Sequence, residues 1–293
     1  MLSLHTNAAA LSAQNSITRT QNTLSTSMTR LSTGFRINSA MDDAAGLQIA
    51  TRLKVQTSGM NVAMRNTQNS ISLLQTAEGA LDEVTSILNR MKDLATQAAD
   101  GSSTANDKTA MQSEFNSLTS ELSNIMTNTK FGGTALLTKT TGKLAAAAGV
   151  DFQIGADSAE KLNAKFDTAL TNIDTALEAV SADYDGATGA AAGGATTELT
   201  ASANATINVV ATAIDKVSAL RSDLGAVSNR LDHVYNNLAN ISTNTKNATG
   251  RIMDVDFASE SAKMTSSQML LQAGTAMLKQ SNSQSSLVLS LLQ

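Results

Sequence analysis

The sequence predicts a mainly α-helical protein: a long antiparallel helical coiled-coil rod with one β-hairpin and a pair of terminal helices. The 293 residues contain no proline, so long helices can run without a kink. Apolar residues recur every seven positions along several segments, as in a coiled coil. Only 3% of the residues are aromatic, which favours close packing of helices over a thick globular core.

Composition argues against several kinds of partner. With 21 Lys and Arg against 25 Asp and Glu, the net charge is −4, so we expect no nucleic-acid binding. No apolar run approaches the roughly 20 residues that a bilayer requires, and we expect no membrane insertion. The first 13 residues lack the basic start and apolar block of a cleavable signal peptide, so export would need another route.

The first predicted element is an N-terminal helix. Ile17, Leu24 and Leu31 lie seven residues apart, and Met28 and Phe35 extend the same apolar stripe. Ser, Thr, Asn and Gln fill the other positions, so this helix is marginal by itself in water. Its stripe therefore needs a partner.

Two acidic residues, Asp42 and Asp43, stand just before the next predicted helix. A carboxylate is favourable at a helix N-terminus, where it caps free backbone N–H groups. We favour capping over the alternative of a carboxylate pair for acid–base catalysis.

Two rod helices come next. The first carries a heptad series and a second apolar row on the same face, and it is expected to stop at Asp100-Gly101. The second is expected to end near residues 131–133. Their apolar positions are Leu74, Leu81, Leu88, Ala95, Ile71, Val84, Met91 and Ala98 in the first helix, and Met111, Leu118, Ile125, Phe115 and Leu122 in the second.

The middle of the chain has a different pattern. Glycines interrupt residues 130–156, and residues 150–154 alternate apolar and polar, which predicts a short β-hairpin. Residues 161–180 return to helical spacing. Residues 183–200 are rich in Gly, Ala and Thr, which is typical of a surface loop.

The clearest heptad series lies late in the chain. It spans 46 residues, which would form a helix of roughly 70 Å. One row is Val210, Val217, Leu224, Leu231, Leu238, Thr245 and Ile252, and the other is Leu220, Val227, Val234, Ile241, Ala248 and Val255.

A last helix carries Met264, Leu271 and Leu278 flanked by Leu270 and Met277. Its stripe resembles that of the N-terminal helix, with few charges beside it. We expect the two terminal helices to pair with each other and with other copies of the chain.

We expect neither a catalytic nor a metal site, and no cofactor. Cysteine is absent, only His5 and His233 could supply imidazoles, and no HExxH or GxSxG motif occurs. One group on the first rod helix stands out, because Arg90, Leu94 and Gln97 share one side of it. Periodicity alone favours a solvated helix face there.

Several segments resemble the bacterial flagellins. The resemblance covers about residues 1–135 and 205–293. It rests on LSTGFRINSA at 31–40, DDAAGL at 42–47, FQIG at 152–155, LRSDLGA at 220–226, QAGTAML at 272–278 and VLSLL at 288–292.

The resemblance implies a subunit with five parts. Residues 1–42 and 254–293 would be the N- and C-terminal inner-tube helices of a filament. Residues 43–155 would hold the N-terminal rod helices and β-hairpin, residues 201–253 the C-terminal rod helix, and residues 156–200 a short variable outer insertion. The polymerisation seam would comprise Leu24, Leu31, Leu271, Leu278 and Leu292.

It also implies function and partners. The chain would be a structural subunit that self-assembles into the extracellular flagellar filament for swimming, exported unfolded through a type III apparatus and polymerised at the filament tip. Partners would be further copies, flagellar cap and junction proteins, an export chaperone and the host Toll-like flagellin receptor. The receptor-binding or subunit-contact patch would be Arg90, Leu94, Gln97 and Glu114.

Two other functions fit the sequence less well. A hook–filament junction protein has related termini, but the match from Leu74 through Gly133 favours flagellin. An enzyme formed by insertion of a protease domain is disfavoured, because HExxH is missing and the insertion is short.

Overall fold

The structure, a computed structural model, describes residues 7–186 and 197–291, with side chains through residue 283. The predicted mainly α fold is confirmed. The described helices are α1 (Ala8–Thr33), α2 (Ala44–Ala99), α3 (Ala105–Asn128), α4 (Asp167–Val180), α5 (Glu198–Ala201), α6 (Ala203–Met253) and α7 (Phe257–Leu291), with a 3-10 turn at Lys143–Ala145. The strands are β1 (Lys130–Phe131), β2 (Thr134–Ala135), β3 (Val150–Gln153) and β4 (Lys161–Ala164).

The chain divides into two compact units. The terminal unit comprises residues 1–57 and 243–293, and the central unit comprises residues 58–242. None of the described helices combines the length and hydropathy that a membrane span needs.

Helices α2 and α6 pack antiparallel in the central unit. Arg221 Nη1 lies 2.9 Å from Asp82 Oδ1, while Met60 and Ala63, earlier in α2, pack with Leu238, later in α6. The first predicted row of α6 is buried from Val210 through Leu238. The second row is buried at Leu220 but exposed at Ile241, because the small cluster at that end contains, among the described residues, side chains of α2 and α6 alone.

Helix α3 adds a third layer to this core. Thr104 begins it with a capping box: its hydroxyl accepts the Asp107 N–H, and the Asp107 carboxylate accepts the Thr104 N–H at 2.9 Å. Phe115 and Leu122 of α3 join the cluster formed by α2 and α6. The rod helices thus bury one another's apolar rows, as the heptads predict.

The structure contains two β-hairpins where the sequence predicted one. In the first, β1 pairs antiparallel with β2 across Gly132 and Gly133. Both glycines have positive φ, 57° and 83°, a conformation that suits a two-residue hairpin turn and that other residues rarely adopt. This turn was missed because the flanking strands are only two residues long.

The second hairpin corrects the prediction for residues 161–164. They form β4, paired with β3 from Val150↔Ala164 to Gln153↔Lys161, instead of beginning a helix. Along β4, Leu162 and Ala164 are buried while Lys161 and Asn163 are exposed, the alternation of a half-buried strand. The helix starts later, at Asp167, and buries Leu170, Ile173 and Leu177. Residues 161–180 of the predicted outer insertion therefore contribute to the core of the central unit.

The segment after α4 is also partly buried. Tyr184 is buried and its hydroxyl donates to Asp174 Oδ1 at 3.2 Å, while Asp174 Oδ2 lies 2.6 Å from Lys139 Nζ. Burial raises the pKa of the Tyr184 hydroxyl above its ordinary value, and the Asp174 charge adds to that shift. The predicted loop at 183–200 is thus packed at its start, and residues 187–196 lie outside the described residues.

Candidate assembly surface of the terminal helices

Helix α1 owes its bounds to two local signals. The Asn7 side chain accepts the Ala10 N–H at its start. Gly34 ends it in the left-handed conformation, with φ of 76° and its N–H bonded to the Arg30 carbonyl. Threonine hydroxyls along the helix donate to the carbonyl four residues earlier, so much of its polar surface is satisfied within the helix itself. These are Thr18, Thr20, Thr23, Thr26, Thr29 and Thr33.

Helices α1 and α7 pack antiparallel along their length. Asn7 Nδ2 donates to the Ser281 carbonyl at 3.2 Å, at one end of the pair. Ser27 Oγ donates to Glu260 Oε1 at 2.6 Å, near the other. The two chain termini therefore form a two-helix coil within one subunit, as the sequence predicted.

The contact face, here called the terminal seam, follows alternating steps of three and four residues on both helices. This is the pattern of a coiled coil. The members are half-buried or buried: Ala10, Ala13, Ile17, Thr20, Leu24, Ser27 and Leu31 on α1, and Glu260, Met264, Ser267, Leu271, Gly274, Leu278 and Ser281 on α7.

Four of the five predicted seam residues lie in the terminal seam: Leu24, Leu31, Leu271 and Leu278. The fifth, Leu292, lies outside the described residues. The structure brings the four together inside one subunit, between its own two terminal helices. Their direct neighbours are thus residues of the same chain, which the sequence pattern alone could not specify.

Other apolar side chains of the two helices remain exposed. Besides Phe257, the first residue of α7, they are Leu11, Met28, Met269, Leu270 and Met277, and these five are here called the outer apolar side chains. Met28, Leu270 and Met277 flank the stripes that the sequence predicts, whereas Leu11 and Met269 fall outside the heptad rows, so spacing does not indicate them. Such side chains in a two-helix coil form a surface that a further helix can cover.

A buried carboxylate anchors the start of α7. Glu260 is 4% exposed, and besides Ser27 it has Lys263 Nζ at 3.6 Å and Arg30 Nη1 at 4.0 Å. It lies in the first turn of α7, where the helix dipole favours a negative charge. Periodicity gave no sign of this residue, since an acidic side chain occupies a seam position.

A short backbone junction joins α1 to the segment between α6 and α7. Phe35 forms an isolated antiparallel bridge with Asp254. The Arg36 N–H donates to the Met253 carbonyl at 2.6 Å, and the Val255 N–H donates to the Gly34 carbonyl at 3.0 Å. These bonds hold the two helix ends in register before the pair begins.

Of the two acidic residues predicted to cap α2, Asp43 caps the helix and Asp42 binds the preceding turn. Asp43 Oδ1 accepts the Gly46 N–H at 2.8 Å and caps α2. Asp42 Oδ2 instead accepts the backbone N–H groups of Asn38 and Ser39, at 3.1 and 3.0 Å. These bonds, led by the one from Ser39, lower the pKa of the Asp42 carboxyl below its ordinary value of 3.8.

The Asp42 turn predicts an acid-sensitive contribution to stability. Because the pKa of Asp42 is lower in the folded chain, its carboxylate contributes its full stabilisation at pH values above the ordinary pKa. This contribution is lost as pH falls through the lower pKa of the folded chain. We expect Asp42→Asn to lower the unfolding midpoint near neutral pH and to match the parent chain well below pH 3.8. Circular dichroism melts from pH 7 to pH 2 measure this. A difference that stays constant over that range would contradict it.

The close approach of α1 and α7 at Gly274 gives a second prediction. A Cβ at this position would lie 2.9 Å from Ile17 Cγ1, whereas a Cβ at Gly79 of α2 would meet nothing within 4 Å. Replacing a helix glycine by alanine in open space gains up to about 1 kcal/mol. We therefore expect Gly79→Ala to raise the unfolding midpoint and Gly274→Ala to leave it unchanged or lower it. Calorimetry of assembled samples measures both unfolding midpoints. Equal increases in the midpoint for the two variants would show that α1 and α7 are further apart at Gly274 than described.

The predicted contact patch lies on the central unit. Arg90 donates through Nε and Nη2 to Glu114 Oε1, at 2.8 and 2.6 Å, so an ion pair joins α2 to α3. Both side chains are about half exposed, and Gln97 is exposed two turns further along α2. An exposed pair of this kind adds little stability, about 0–1 kcal/mol.

Leu94 does not belong to that exposed patch, contrary to the prediction. It is 1% exposed and lies in the core, because it stands three residues after Met91 and four before Ala98, both of which face inward. A partner protein could reach Arg90, Gln97 and Glu114 but not the Leu94 side chain.

Comparison with known families gives two matches that together cover most of the chain. Residues 4–141 match the model for the bacterial flagellin N-terminal helical region, and residues 207–292 match the model for the bacterial flagellin C-terminal helical region. Both terminal helices and α2, α3 and α6 lie largely within these matches.

Individual relatives agree. Flagellin A of Vibrio anguillarum is 35% identical and flagellin A of Vibrio cholerae is 34% identical, with this chain and the relative both covered in full. A solved structure from Vibrio parahaemolyticus, assigned to the flagellar hook-associated proteins, has a TM-score of 0.54 at 18% identity. It covers 73% of this chain and all of that one, and it shows a likeness of fold alone.

Proposed function

The chain belongs to the bacterial flagellin family and is a structural subunit of the flagellar filament, and from this premise we propose that its outer apolar side chains form contacts between neighbouring subunits. It is a structural protein and not an enzyme, and the alternative of a junction protein is not favoured. The proposal concerns which surface of α1 and α7 performs the assembly.

The strongest support for this proposal is the difference in exposure between two sets of apolar side chains on α1 and α7. The terminal seam already covers Leu24, Leu31, Leu271 and Leu278 within the subunit, whereas the outer apolar side chains stay exposed on the same two helices. Burying an exposed side chain of this size contributes roughly 1.5–3 kcal/mol. A neighbouring copy presents the same surface, so repeated burial between copies supplies a driving force for polymerisation.

An added charge tests the assignment. We expect Leu270→Asp and Met277→Asp to raise the critical concentration for filament formation at least about tenfold, because an interface would have to desolvate each carboxylate. Gln272→Asp, which places the same charge at an exposed polar position of α7, is the matched control and should assemble normally. Sedimentation after seeding gives the critical concentration. Assembly of both apolar-site variants at the parent concentration would overturn the proposal.

We infer further partners from the family. As in the resemblance described above, the chain would be exported unfolded through a type III apparatus, held by an export chaperone, and incorporated outside the cell with the help of cap and junction proteins. Helices α1 and α7 would be the inner-tube helices. Two experiments test these steps. The chain should co-purify with its export chaperone, and the chain should be missing from the medium of an export-deficient strain.

The host Toll-like flagellin receptor is a second proposed partner. Its contact patch would comprise Arg90, Gln97 and Glu114, without Leu94. The ion pair between Arg90 and Glu114 supports the proposal, because it holds a guanidinium in a defined, accessible position, and arginine is enriched at protein interfaces. In a receptor-reporter assay, Arg90→Ala should reduce the signal of the monomer. An unchanged signal would leave the patch a solvated helix face.

A further inference from the structure

The exposure of the described methionines differs between the two units, with Met64, Met253 and Met264 partly buried. Among the described residues, the buried methionines all belong to the central unit, and the exposed ones all belong to the terminal unit. The buried set is Met60, Met91, Met111 and Met126, and the exposed set is Met28, Met41, Met269 and Met277.

Three of the five outer apolar side chains are therefore thioethers. Met28, Met269 and Met277 are 55%, 61% and 66% exposed, so these three side chains are accessible to an oxidant in solution in the free subunit. Leucine would supply a similar apolar area without that reactivity. The same groups that would drive subunit contacts are thus the ones that oxygen transfer can modify.

The chemistry requires only a peroxide. The sulfur lone pair attacks one peroxide oxygen, a sulfur–oxygen bond forms, and the oxygen–oxygen bond breaks. With a proton shift, the second oxygen leaves as water, or as an alcohol for an organic peroxide. The thioether is oxidised to a sulfoxide by two electrons and the peroxide is reduced. The product is polar, and methionine sulfoxide reductases reverse the change.

We propose that Met28, Met269 and Met277 form a reversible oxidation site at which sulfoxide formation prevents the subunit from joining a filament. The inference rests on the proposed function, since it requires these side chains to be covered by a neighbouring copy. A sulfoxide in such a contact loses its hydrogen bonds to water without replacement. The free subunit is then the sensitive form, and incorporation into a filament protects the sulfurs.

Met41 provides an internal control. It is 97% exposed but lies between α1 and α2, outside both terminal helices. It should oxidise as readily as the other three. Because it is not one of the outer apolar side chains, its sulfoxide should have no effect on assembly.

The test treats the soluble full chain and preformed filaments with hydrogen peroxide, followed by peptide mass mapping and seeded assembly. We expect sulfoxide at the four exposed methionines of the soluble chain before the four buried ones. Assembly of the oxidised chain should need at least about a tenfold higher concentration, and treatment with both classes of methionine sulfoxide reductase should restore it. In filaments, Met28, Met269 and Met277 should be protected while Met41 is oxidised.

Two variants assign the effect to residues. The critical concentration of the triple variant M28L/M269L/M277L should be the same before and after peroxide, whatever its untreated value, whereas that of M41L should rise on oxidation as it does for the parent chain. If the triple variant does not assemble, M269L/M277L replaces it and should lose most of the sensitivity. Unchanged sensitivity in the leucine variant that assembles, or an unchanged critical concentration after complete oxidation of the three sulfurs, would overturn the proposal.

These outcomes can be told apart from failure of the proposed function. If Leu270→Asp and Met277→Asp assemble like the parent chain, the assembly surface lies elsewhere. If those variants are blocked while the oxidised parent chain assembles normally, the assembly surface stands and only the oxidation site is wrong.

Discussion

The substitution Leu271→Asp is expected to abolish filament formation. Leu271 occupies the centre of the α7 side of the terminal seam, between Ser267 and Gly274, and is half-buried against α1. A carboxylate there would be partly desolvated with no partner, at a cost of about 1–3 kcal/mol in every subunit. Since both terminal helices depend on this one seam, neither would stay in place to meet a neighbour.

Electron microscopy and sedimentation of the purified chain check this result. Leu271→Met keeps the size and apolar character of the seam and should form filaments at close to the parent concentration. Circular dichroism of the unassembled variant should show that the central unit keeps its helices. Filaments of normal appearance from the aspartate variant would mean that the seam is not required for assembly.

The second large effect is expected from Leu94→Ala, which should destabilise the central unit by about 2–5 kcal/mol, the usual cost of emptying a buried leucine site. Leu94 is 1% exposed and contacts the core cluster of α2, α3 and α6. Arg90→Ala, one turn away on the same helix, should cost about 1 kcal/mol or less, because its ion pair is exposed.

Denaturant unfolding of both variants measures the two free energies of unfolding. The comparison also serves as a stability control for the receptor assay, because Leu94→Ala would lose signal through instability alone. A cost below about 1 kcal/mol for Leu94→Ala would contradict its place in the core. A cost for Arg90→Ala as large as that of Leu94→Ala would mean that the ion pair holds α3 in place.

The sequence predicted those parts of the fold that repeat. Heptad rows such as Leu81, Leu88 and Val210, Val217 give the inward face of a helix directly, and the chain has no proline to break it. The hairpins were harder to predict. Four residues at 161–164 fit either a helix start or a strand, and only pairing with residues 150–153 decides between them.

The candidate assembly surface was likewise only partly predictable from the sequence. The stripes of the two terminal helices could be predicted, since spacing alone defines them. Spacing alone could not predict which of their side chains face the partner helix and which remain exposed for contact with another subunit. Glu260 and Gly274 lie in the terminal seam although neither is apolar enough to mark it.

By itself, then, the sequence determined where the long helices run, which side of each is apolar and the family to which the chain is similar. These properties depend on residues a few positions apart. Only the tertiary structure decided what covers each apolar side: Leu94 by the core, and Leu271 by the chain's own N-terminal helix. Burial depends on neighbours that are distant in sequence, such as Ser27 and Glu260, 233 positions apart. No local spacing encodes such a pair, because chain folding alone brings its two members together.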